Sequence, residues 1–266
     1  MASAHNAAGH DHIDSDPGPL YQEPWIRKLL QQIQICLQMN SDWLGIDLSR
    51  PQRILDYACG NGTVSSVRSA TTNPSHFRAI AVDTSKALLP AFPKATFQGI
   101  DIATSQVRRY NDEATKLLGE PHHRMFAIQG DLYDPQAVLN EARWSGFDAS
   151  IISFALHHTK DPVDMLTRLR QRVRSGGTVV VLDFLRQSPD TAQHAEGKDQ
   201  KYHAEDMVKL TQGMKIWPGF TMQDIHADMT SGGCVNVDVK VFPEPVEGPE
   251  ELQGYGRIFI AKATVP

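Results

Sequence analysis

The stretch that decides the fold spans residues 54–63 and reads ILDYACGNGT. Its apolar first half predicts a buried strand, and Gly60 and Gly62 predict a turn into a following helix. A strand, a glycine turn and a helix in this order present a loop to a nucleotide-like ligand in parallel α/β sheets. Glycine lets the ligand approach the backbone, and the helix N-terminus offers unpaired N–H groups to an anion. The loop alone fits a dinucleotide and an amino-acid-bearing nucleoside equally well.

The composition bounds the size of the fold and the kind of partner. The chain has 266 residues, of which 41% are hydrophobic and 21% charged, and its formal net charge is -5. This length and composition predict one large α/β domain, with room for a small appendage. The negative charge argues against nucleic acid or an anionic membrane as the main partner, so we expect a small-molecule ligand.

Cysteine usage and hydropathy indicate the compartment. Cys36, Cys59 and Cys234 are too few and too scattered for a disulfide framework or a zinc cluster, so we expect reduced thiols and no metal site. No run approaches the roughly 20 apolar residues that span a bilayer, and the first residues lack the features of a signal peptide. The expected location is the cytoplasm, with a nuclear address as the alternative.

Alternating strand and helix patterns follow the glycine turn. Apolar runs predict strands at residues 95–101, 125–131, 147–154 and 178–184. Helical spacing predicts helices at residues 105–118, 135–142 and 162–173. Such alternation predicts a parallel, doubly wound sheet with right-handed crossovers. Two further apolar runs, 235–242 and 257–263, predict an antiparallel pair at one edge of that sheet.

The N-terminal region divides into a tail and a helical cap. Residues 1–19 lack an apolar period, so we expect a disordered tail there. Apolar residues at helical spacing between residues 23 and 44 predict an amphipathic helix, which we assign with its flanks to a cap over residues 20–50. The helix either packs on the sheet or forms a lid over the ligand cleft, with Tyr21 or Trp25 reaching into it.

One segment breaks the alternation of strands and helices. Residues 67–86, VRSATTNPSHFRAIAVDTSK, interrupt the helix expected after the glycine turn, and their removal leaves a continuous helical pattern. The segment is interpreted as a surface insertion, as an extra strand over residues 77–83, or as the translation of an unremoved intron.

Two details of the glycine turn separate the two ligand classes. Ser65 occupies the position where a dinucleotide fingerprint has its third glycine, and Asp56 precedes the glycines. An acidic group at this place repels a pyrophosphate but can accept a hydrogen bond from an α-ammonium group. The turn therefore favours S-adenosylmethionine as its ligand.

Five segments in order carry a resemblance to a known family. They are ILDYACGNGT, GIDIATSQVRRYN (99–111), IQGDL (128–132), FDASIISFALHHTKDP (147–162) and LRQRVRSGGTVVVLDFL (169–185). Together they resemble the ordered motifs of class I S-adenosylmethionine-dependent methyltransferases, and most of all the ubiquinone-biosynthesis-like branch with its fungal small-molecule members. The resemblance runs from about residue 25 to the C-terminus, and the segment 67–86 departs from it.

This resemblance implies the fold and the domain organisation. The expected fold is α/β and Rossmann-like, with a seven-stranded, mainly parallel sheet, an antiparallel C-terminal edge pair and an N-terminal helical cap. The methyltransferase domain is expected over residues 51–266, and residues 187–220 resemble the variable region that shapes the acceptor pocket.

The resemblance also implies which residues bind the cofactor. The donor, S-adenosylmethionine, is expected to contact the ends of four strands through Asp56, Ala58, Gly60, Asn61, Gly62, Asp101, Ile102, Asp131, Leu132 and Phe154. Asp131 is expected to take the adenine amino group with Leu132 packing on the ring, and Phe154 to border the sulfonium.

The acid that holds the ribose hydroxyls has two candidates. Asp83 lies about twenty residues after the glycines, as in the dinucleotide fingerprint. Asp101 precedes a helix that can be capped, and Asp131 follows it at the interval of one helix and one strand. We favour Asp101, in which case Asp83 is a solvent-exposed carboxylate of the insertion.

The candidate catalytic residues follow the fourth strand. A histidine near neutral pKa at the mouth of a cleft is a natural general base, so His158 and then His157 are the candidates. Alignment of acceptor and donor without a base, with the histidines only ordering their loop, is the alternative. An acceptor pocket is predicted from Tyr21, Trp25, Met214, Trp217 and Phe220, although the last three fit a core equally well.

The expected reaction is methyl transfer from S-adenosylmethionine to O, N, S or C of a small molecule, possibly in secondary metabolism. One alternative is a protein of this fold that transfers no methyl group and acts in binding, regulation or rearrangement. The other is a nicotinamide-dependent dehydrogenase, which predicts a third glycine and a Tyr-x-x-x-Lys site, and neither is in place.

Overall fold

The computed structural model describes residues 24–47, 49–60, 88–120, 123–134, 137–186, 220–245 and 257–266. Four α-helices lie in these ranges: α1 (Pro24–Met39), α2 (Thr104–Leu118), α3 (Pro162–Arg172) and α4 (Met222–Ser231). The strands are β1 (Arg53–Tyr57), β2 (Thr96–Asp101), β3 (Met125–Gln129), β4 (Phe147–Ser153), β5 (Val173–Leu185), β6 (Val235–Val241) and β7 (Arg257–Thr264). The predicted tail and the segment 67–86 lie outside the described residues.

The strands form one seven-stranded sheet in the order β3-β2-β1-β4-β5-β7-β6. Strands β1 to β5 pair in parallel, whereas β7 pairs antiparallel with both β5 and β6. The predicted mainly parallel sheet with an antiparallel C-terminal pair is therefore confirmed. The chain proceeds outward from β1 to β2 and β3 on one side and resumes at β4 on the other, which makes the β1–β4 boundary the topological switch point.

Two apolar clusters cover the two faces of the sheet. On one face, α1 and α2 pack through Leu37 and Tyr110 against strand residues such as Ile151 and Val180. On the other face, α3 and α4 pack through Leu166 and Ile225 against strand residues that include Val181. The side chains alternate between the faces along each strand, so adjacent Val180 and Val181 belong to different clusters. This two-sided burial explains why the central strands read as continuous apolar runs.

Helix α1 packs on the sheet through one apolar stripe. Leu29, Ile33, Cys36 and Leu37 are buried at spacings of four, three and one residues, as an amphipathic helix requires. The turn after α1 is fixed to the edge strands by Trp43, whose Nε1 donates to Asp238 Oδ2 over 2.9 Å. The packing interpretation of this helix therefore agrees with the structure. Tyr21 and the side chain of Trp25, on which the lid alternative depends, lie outside the described residues.

The prediction of an α-helix over residues 135–142 is wrong. The chain there forms two short 3₁₀ turns, Ala137–Asn140 and Ala142–Trp144. The buried side chains of Leu139 and Trp144 anchor the segment to the core, and the guanidinium of Arg172 donates to the carbonyl oxygens of both residues. These carbonyls thus obtain their hydrogen bonds from α3 rather than from a helix of their own.

Strand β5 is longer than the predicted strand 178–184 because it also includes residues 173–177, among them Gly176 and Gly177. Phe147 pairs with Val173 and Ala149 with Thr178, so Ser175, Gly176 and Gly177 bulge out of the ladder. Gly176 has φ +73°, and a Cβ on Gly177 would lie 2.7 Å from the carbonyl oxygen of Asp148. Glycine is therefore required where β5 bends toward β4.

The carboxylate of Asp148 joins three strands at the edge opposite the candidate site. It accepts from Arg50 Nη2 over 2.9 Å, from the Arg53 backbone N–H over 2.8 Å and from Arg174 Nε over 2.8 Å. Burial by itself would raise the pKa of Asp148, but these donors outweigh it and hold the pKa below its ordinary value. The charged form of Asp148 is therefore stabilised by folding.

We predict that Asp148→Asn lowers the free energy of unfolding by about 1–3 kcal/mol, because hydrogen bonds to a charged acceptor are lost. Since the pKa of Asp148 is lowered on folding, its contribution is present above the unfolded-state value of about 3.9 and disappears as the pH falls through the folded value. Urea denaturation between pH 3 and pH 7 measures this. Asp42→Asn, at an exposed carboxylate, is the control, and equal stability of the two variants at pH 7 would contradict the assignment.

Candidate functional site

The candidate site lies at the C-terminal edge of the parallel strands, around the switch point. Every predicted cofactor or catalytic residue that the structure describes lies in the last two residues of a strand or in the loop after that strand. The loops after β1, β2, β3 and β4 supply them, and the order of the sheet places these loops side by side. Ligands of open α/β sheets bind at this edge, because helices that leave in opposite directions open a crevice there.

The loop after β1 turns within three residues. Asp56 is 2% exposed inside β1, Ala58 adopts φ 54° and Gly60 adopts φ 65°. A Cβ built on Gly60 meets no atom of the described residues within 4 Å. Left-handed backbone at a non-glycine residue costs free energy and is found mostly at functional sites. Asn61 and Gly62 lie outside the described residues.

Asp101 ends β2 and holds the glycine turn in place. Its Oδ2 accepts from the Gly60 N–H and its Oδ1 from the Ala103 N–H, both over 2.9 Å. Burial raises the pKa of Asp101, and the N–H groups of Ala103, Gly60 and Ile102 oppose that rise. Asp101 thus stands at the end of the second strand of the sheet, whereas Asp83 lies outside the described residues. Ile102 is 42% exposed beside the carboxylate.

Asp131 lies in the loop after β3, where it is bound to a residue of β1. Its Oδ1 accepts from the Tyr133 N–H over 2.8 Å and from the Tyr57 hydroxyl over 3.2 Å. The Tyr57 oxygen also lies 3.4 Å from the Leu132 nitrogen, from which it accepts. Leu132 is 2% exposed and belongs to the core cluster under α3 and α4. The side chain of Leu132 is therefore part of the core, whereas the carboxylate of Asp131 lies at the edge of the sheet.

The two histidines follow β4 in a short 3₁₀ turn, Leu156–His158. His157 is buried, and its Nδ1 lies 2.6 Å from Oδ1 of Asp183, a residue of β5 that is 0% exposed. Asp183 Oδ2 also accepts from the His157 backbone N–H over 3.2 Å. A buried carboxylate requires such partners, so Asp183 fixes both the backbone and the ring of His157.

His158 stacks on His157, with ring centroids 4.0 Å apart. The side chain of His158 is partly exposed, and one side of its ring lies against His157. Loss of water around the ring, and then the neighbouring His157, lower the pKa of His158 to about 4, while Asp183 acts in the opposite direction. His158 is therefore neutral at physiological pH and keeps a lone pair on its ring.

Two phenylalanines border the histidines. Phe154 directly follows β4 and has φ 51°, and its ring meets that of Phe184 edge to face with centroids 4.8 Å apart. Phe184 lies 5.7 Å from the His157 ring, measured between centroids. The aromatic edge of the site is thus continuous with the histidine pair.

The predicted acceptor-pocket residues are described only in part. Met214, Trp217, Tyr21 and the side chain of Trp25 lie outside the described residues. Phe220 is 4% exposed and packs edge to face on Phe259 at 6.1 Å, and its backbone pairs with β5 next to Leu185. Phe220 was predicted either to line the acceptor pocket or to belong to the core, and it lies in the core.

Tyr57 and Asp183 are site residues that the sequence analysis missed. A signal for Asp183 was present, because it is the one charged residue in the run VVVLDFL, and a charge inside a buried strand requires a partner. Tyr57 offered no comparable signal. An aromatic residue at the end of a strand reads as core, and its polar contact depends on a loop that is distant in sequence.

Comparisons with known proteins agree with this geometry. Residues 81–179 match the family described as "Methyltransferase domain". The match begins after the glycine turn and includes Asp101, Asp131 and Phe154. An uncharacterised methyltransferase of Schizosaccharomyces pombe is 27% identical over 213 residues, which cover 80% of this chain and 62% of that protein.

Solved structures of similar fold include two small-molecule methyltransferases. Phosphoethanolamine N-methyltransferase 2 of Haemonchus contortus, in complex with S-adenosyl-L-methionine, matches with a TM-score of 0.57 and 12% identity, over 88% of this chain and 52% of that one. Geranyl diphosphate C-methyltransferase of Streptomyces coelicolor matches with a TM-score of 0.55 and 10% identity, over 96% and 87%. The chain thus spans less than two thirds of its yeast relative and about half of the nematode enzyme.

Within the part of the chain that the structure describes, no helix is long and apolar enough to cross a membrane.

Residues 81–179 are thus similar to a methyltransferase domain, and 80% of the chain is similar to the yeast methyltransferase. The seven-stranded sheet has the fold of the solved methyltransferases.

Proposed function

We propose that this protein binds S-adenosylmethionine at the switch point and transfers its methyl group to a small molecule. The observation that carries the proposal is the turn at Gly60, whose backbone N–H is held by the buried carboxylate of Asp101. This turn lies where ligands bind in the fold, and the family match supports the choice of ligand.

The residues of the site fit the chemical groups of this cofactor. Asp101 uses one lone pair of each oxygen for a backbone N–H, so each oxygen retains acceptor capacity for the vicinal hydroxyls of a ribose. Exposed Ile102 offers an apolar surface beside it, and Asp131 is placed to accept from an adenine amino group. When bound, the cofactor supplies a methyl group on a positively charged sulfur.

We propose that His158 receives the proton of a hydroxyl or amine acceptor. Its ring is neutral at physiological pH and is supported by the His157–Asp183 pair. A proton on oxygen or nitrogen becomes strongly acidic as that atom is alkylated, so a weakly basic imidazole is sufficient to take it. His157 is the second candidate, but its Nδ1 is already bound to Asp183. The ubiquinone-biosynthesis-like branch and a cytoplasmic location remain our predictions.

We predict that the full-length protein binds S-adenosylhomocysteine in the micromolar range and that Asp101→Ala weakens this binding by about 1.5–3 kcal/mol, the scale of hydrogen bonds to a charged acceptor. Isothermal titration calorimetry measures both affinities. Asp83→Ala is the control and should bind as the wild type does. The reverse ranking of the two variants would assign the ribose to Asp83, and absence of wild-type binding would reject the proposed cofactor.

We predict transfer of labelled methyl groups to at least one member of a panel of phenols, thiols and amines. Scintillation counting of the extracted products measures the transfer. The counts with the wild-type enzyme are compared with those of a boiled-enzyme blank. Binding of S-adenosylhomocysteine together with no transfer to any acceptor would favour the alternative of a binding or regulatory protein of this fold.

We predict that the imidazole of His158 titrates well below the ordinary histidine value of about 6.5. Crowding and the neighbouring His157 lower its pKa to about 4, so the neutral form predominates above that value and is lost only as the pH falls through it. Histidine ring signals followed by NMR between pH 3.5 and pH 8 measure this, and His158→Gln identifies the signal. Titration of that signal near pH 6.5 would contradict the assignment.

A further inference from the structure

We infer that Tyr57 is a positioning residue for adenine recognition: its buried hydroxyl orients the carboxylate of Asp131 toward the 6-amino group. This inference rests on the proposed function, because it assumes that adenosine occupies the switch point. It adds a residue of β1 to the recognition of a base that otherwise depends on the loop after β3.

The burial of Tyr57 limits which groups its hydroxyl can contact. It is the last residue of β1 and is 6% exposed, and β2 lies between β1 and β3, the strand that precedes the loop with Asp131. The phenol reaches past β2 on the side of the sheet occupied by Leu132 and Ile100. A buried hydroxyl must find partners, and this one donates to Asp131 Oδ1 and accepts from the Leu132 N–H.

The protonation state of Tyr57 keeps it a donor. Burial, followed by the charge of Asp131, raises the pKa of the phenol above its ordinary value, although the Leu132 N–H opposes this. The hydroxyl therefore keeps its proton throughout the physiological range. Because Asp131 can only accept when ionised, donor and acceptor roles in this pair are fixed.

The contacts of Asp131 are unequal between its two oxygens. Oδ1 receives both the Tyr57 hydroxyl over 3.2 Å and the Tyr133 N–H over 2.8 Å. Among the residues that the structure describes, no hydrogen bond to Oδ2 is seen, so this oxygen has lone pairs to offer to a ligand. An adenine amino group can donate to it, whereas the 6-oxo group of hypoxanthine presents lone pairs to a carboxylate and is rejected.

The test compares two ligands that differ at the 6-substituent and in the proton on N1, S-adenosylhomocysteine and S-inosylhomocysteine, by calorimetry with the full-length protein. The wild type should prefer the adenine compound. Tyr57→Phe should reduce that preference by about fivefold or more, because the carboxylate loses one of its two fixing donors. Tyr133→Phe is the matched control: it removes a hydroxyl that donates to the Asp161 carbonyl and leaves the Tyr133 N–H on Asp131. It should keep the wild-type preference.

A purely structural role would weaken both ligands by the same factor and leave their ratio unchanged, which would overturn the inference. Thermal melting verifies that each variant is folded. In an Asp131→Asn background the addition of Tyr57→Phe should change the ratio by less than about twofold, since Tyr57 acts through that carboxylate. A further independent loss of preference there would also overturn the inference. A wild type that binds neither ligand would instead overturn the proposed function.

Discussion

The buried carboxylate of Asp101 is the interaction on which the site depends. One of its oxygens receives the Gly60 N–H from the loop after β1, and the other receives the Ala103 N–H at the start of α2. Burial alone raises the pKa of this group, so the N–H donors are what keep its charged form accessible. The same side chain thus shapes the turn, begins a helix and offers its remaining lone pairs to a ligand. Order in the loop and affinity for a ribose are therefore properties of one group.

A second carboxylate organises the other side of the switch point. Asp183 at the end of β5 holds His157 after β4, as Asp101 at the end of β2 holds Gly60 after β1. In both cases a fully or nearly buried acid on one strand fixes the loop that follows its neighbour. The backbone at the ends of the two central strands is left-handed at Ala58 and Phe154, at φ 54° and 51°. Strain of this kind persists only where the surroundings determine the conformation, which these two acids and their hydrogen bonds do.

The sequence predicted the strands well because their burial on both faces leaves long apolar runs, and it placed Asp101 correctly at the end of β2. It failed at residues 135–142. There the side chain of distant Arg172 donates to backbone carbonyls, and these hydrogen bonds replace helical ones. It also missed the Tyr57–Asp131 contact, since the partners are 74 residues apart and nothing local marks either as paired. Asp183 could have been found from its charge within an apolar strand. Which of the two adjacent histidines binds it could not be predicted, because this depends on how the 3₁₀ turn orients each ring.

The central claim is that adenosine is bound where the Gly60 turn meets Asp101 and Asp131. The most direct measurement is a crystal structure of the full-length protein with S-adenosylhomocysteine. We expect electron density for the nucleoside at the C-terminal edge of β1, β2 and β3, with the ribose hydroxyls within hydrogen-bond distance of Asp101 and the adenine amino group facing Asp131. Density for the ligand at any other edge of the sheet, or ribose hydroxyls bound by Asp83 with Asp101 left on backbone N–H groups alone, would contradict the account.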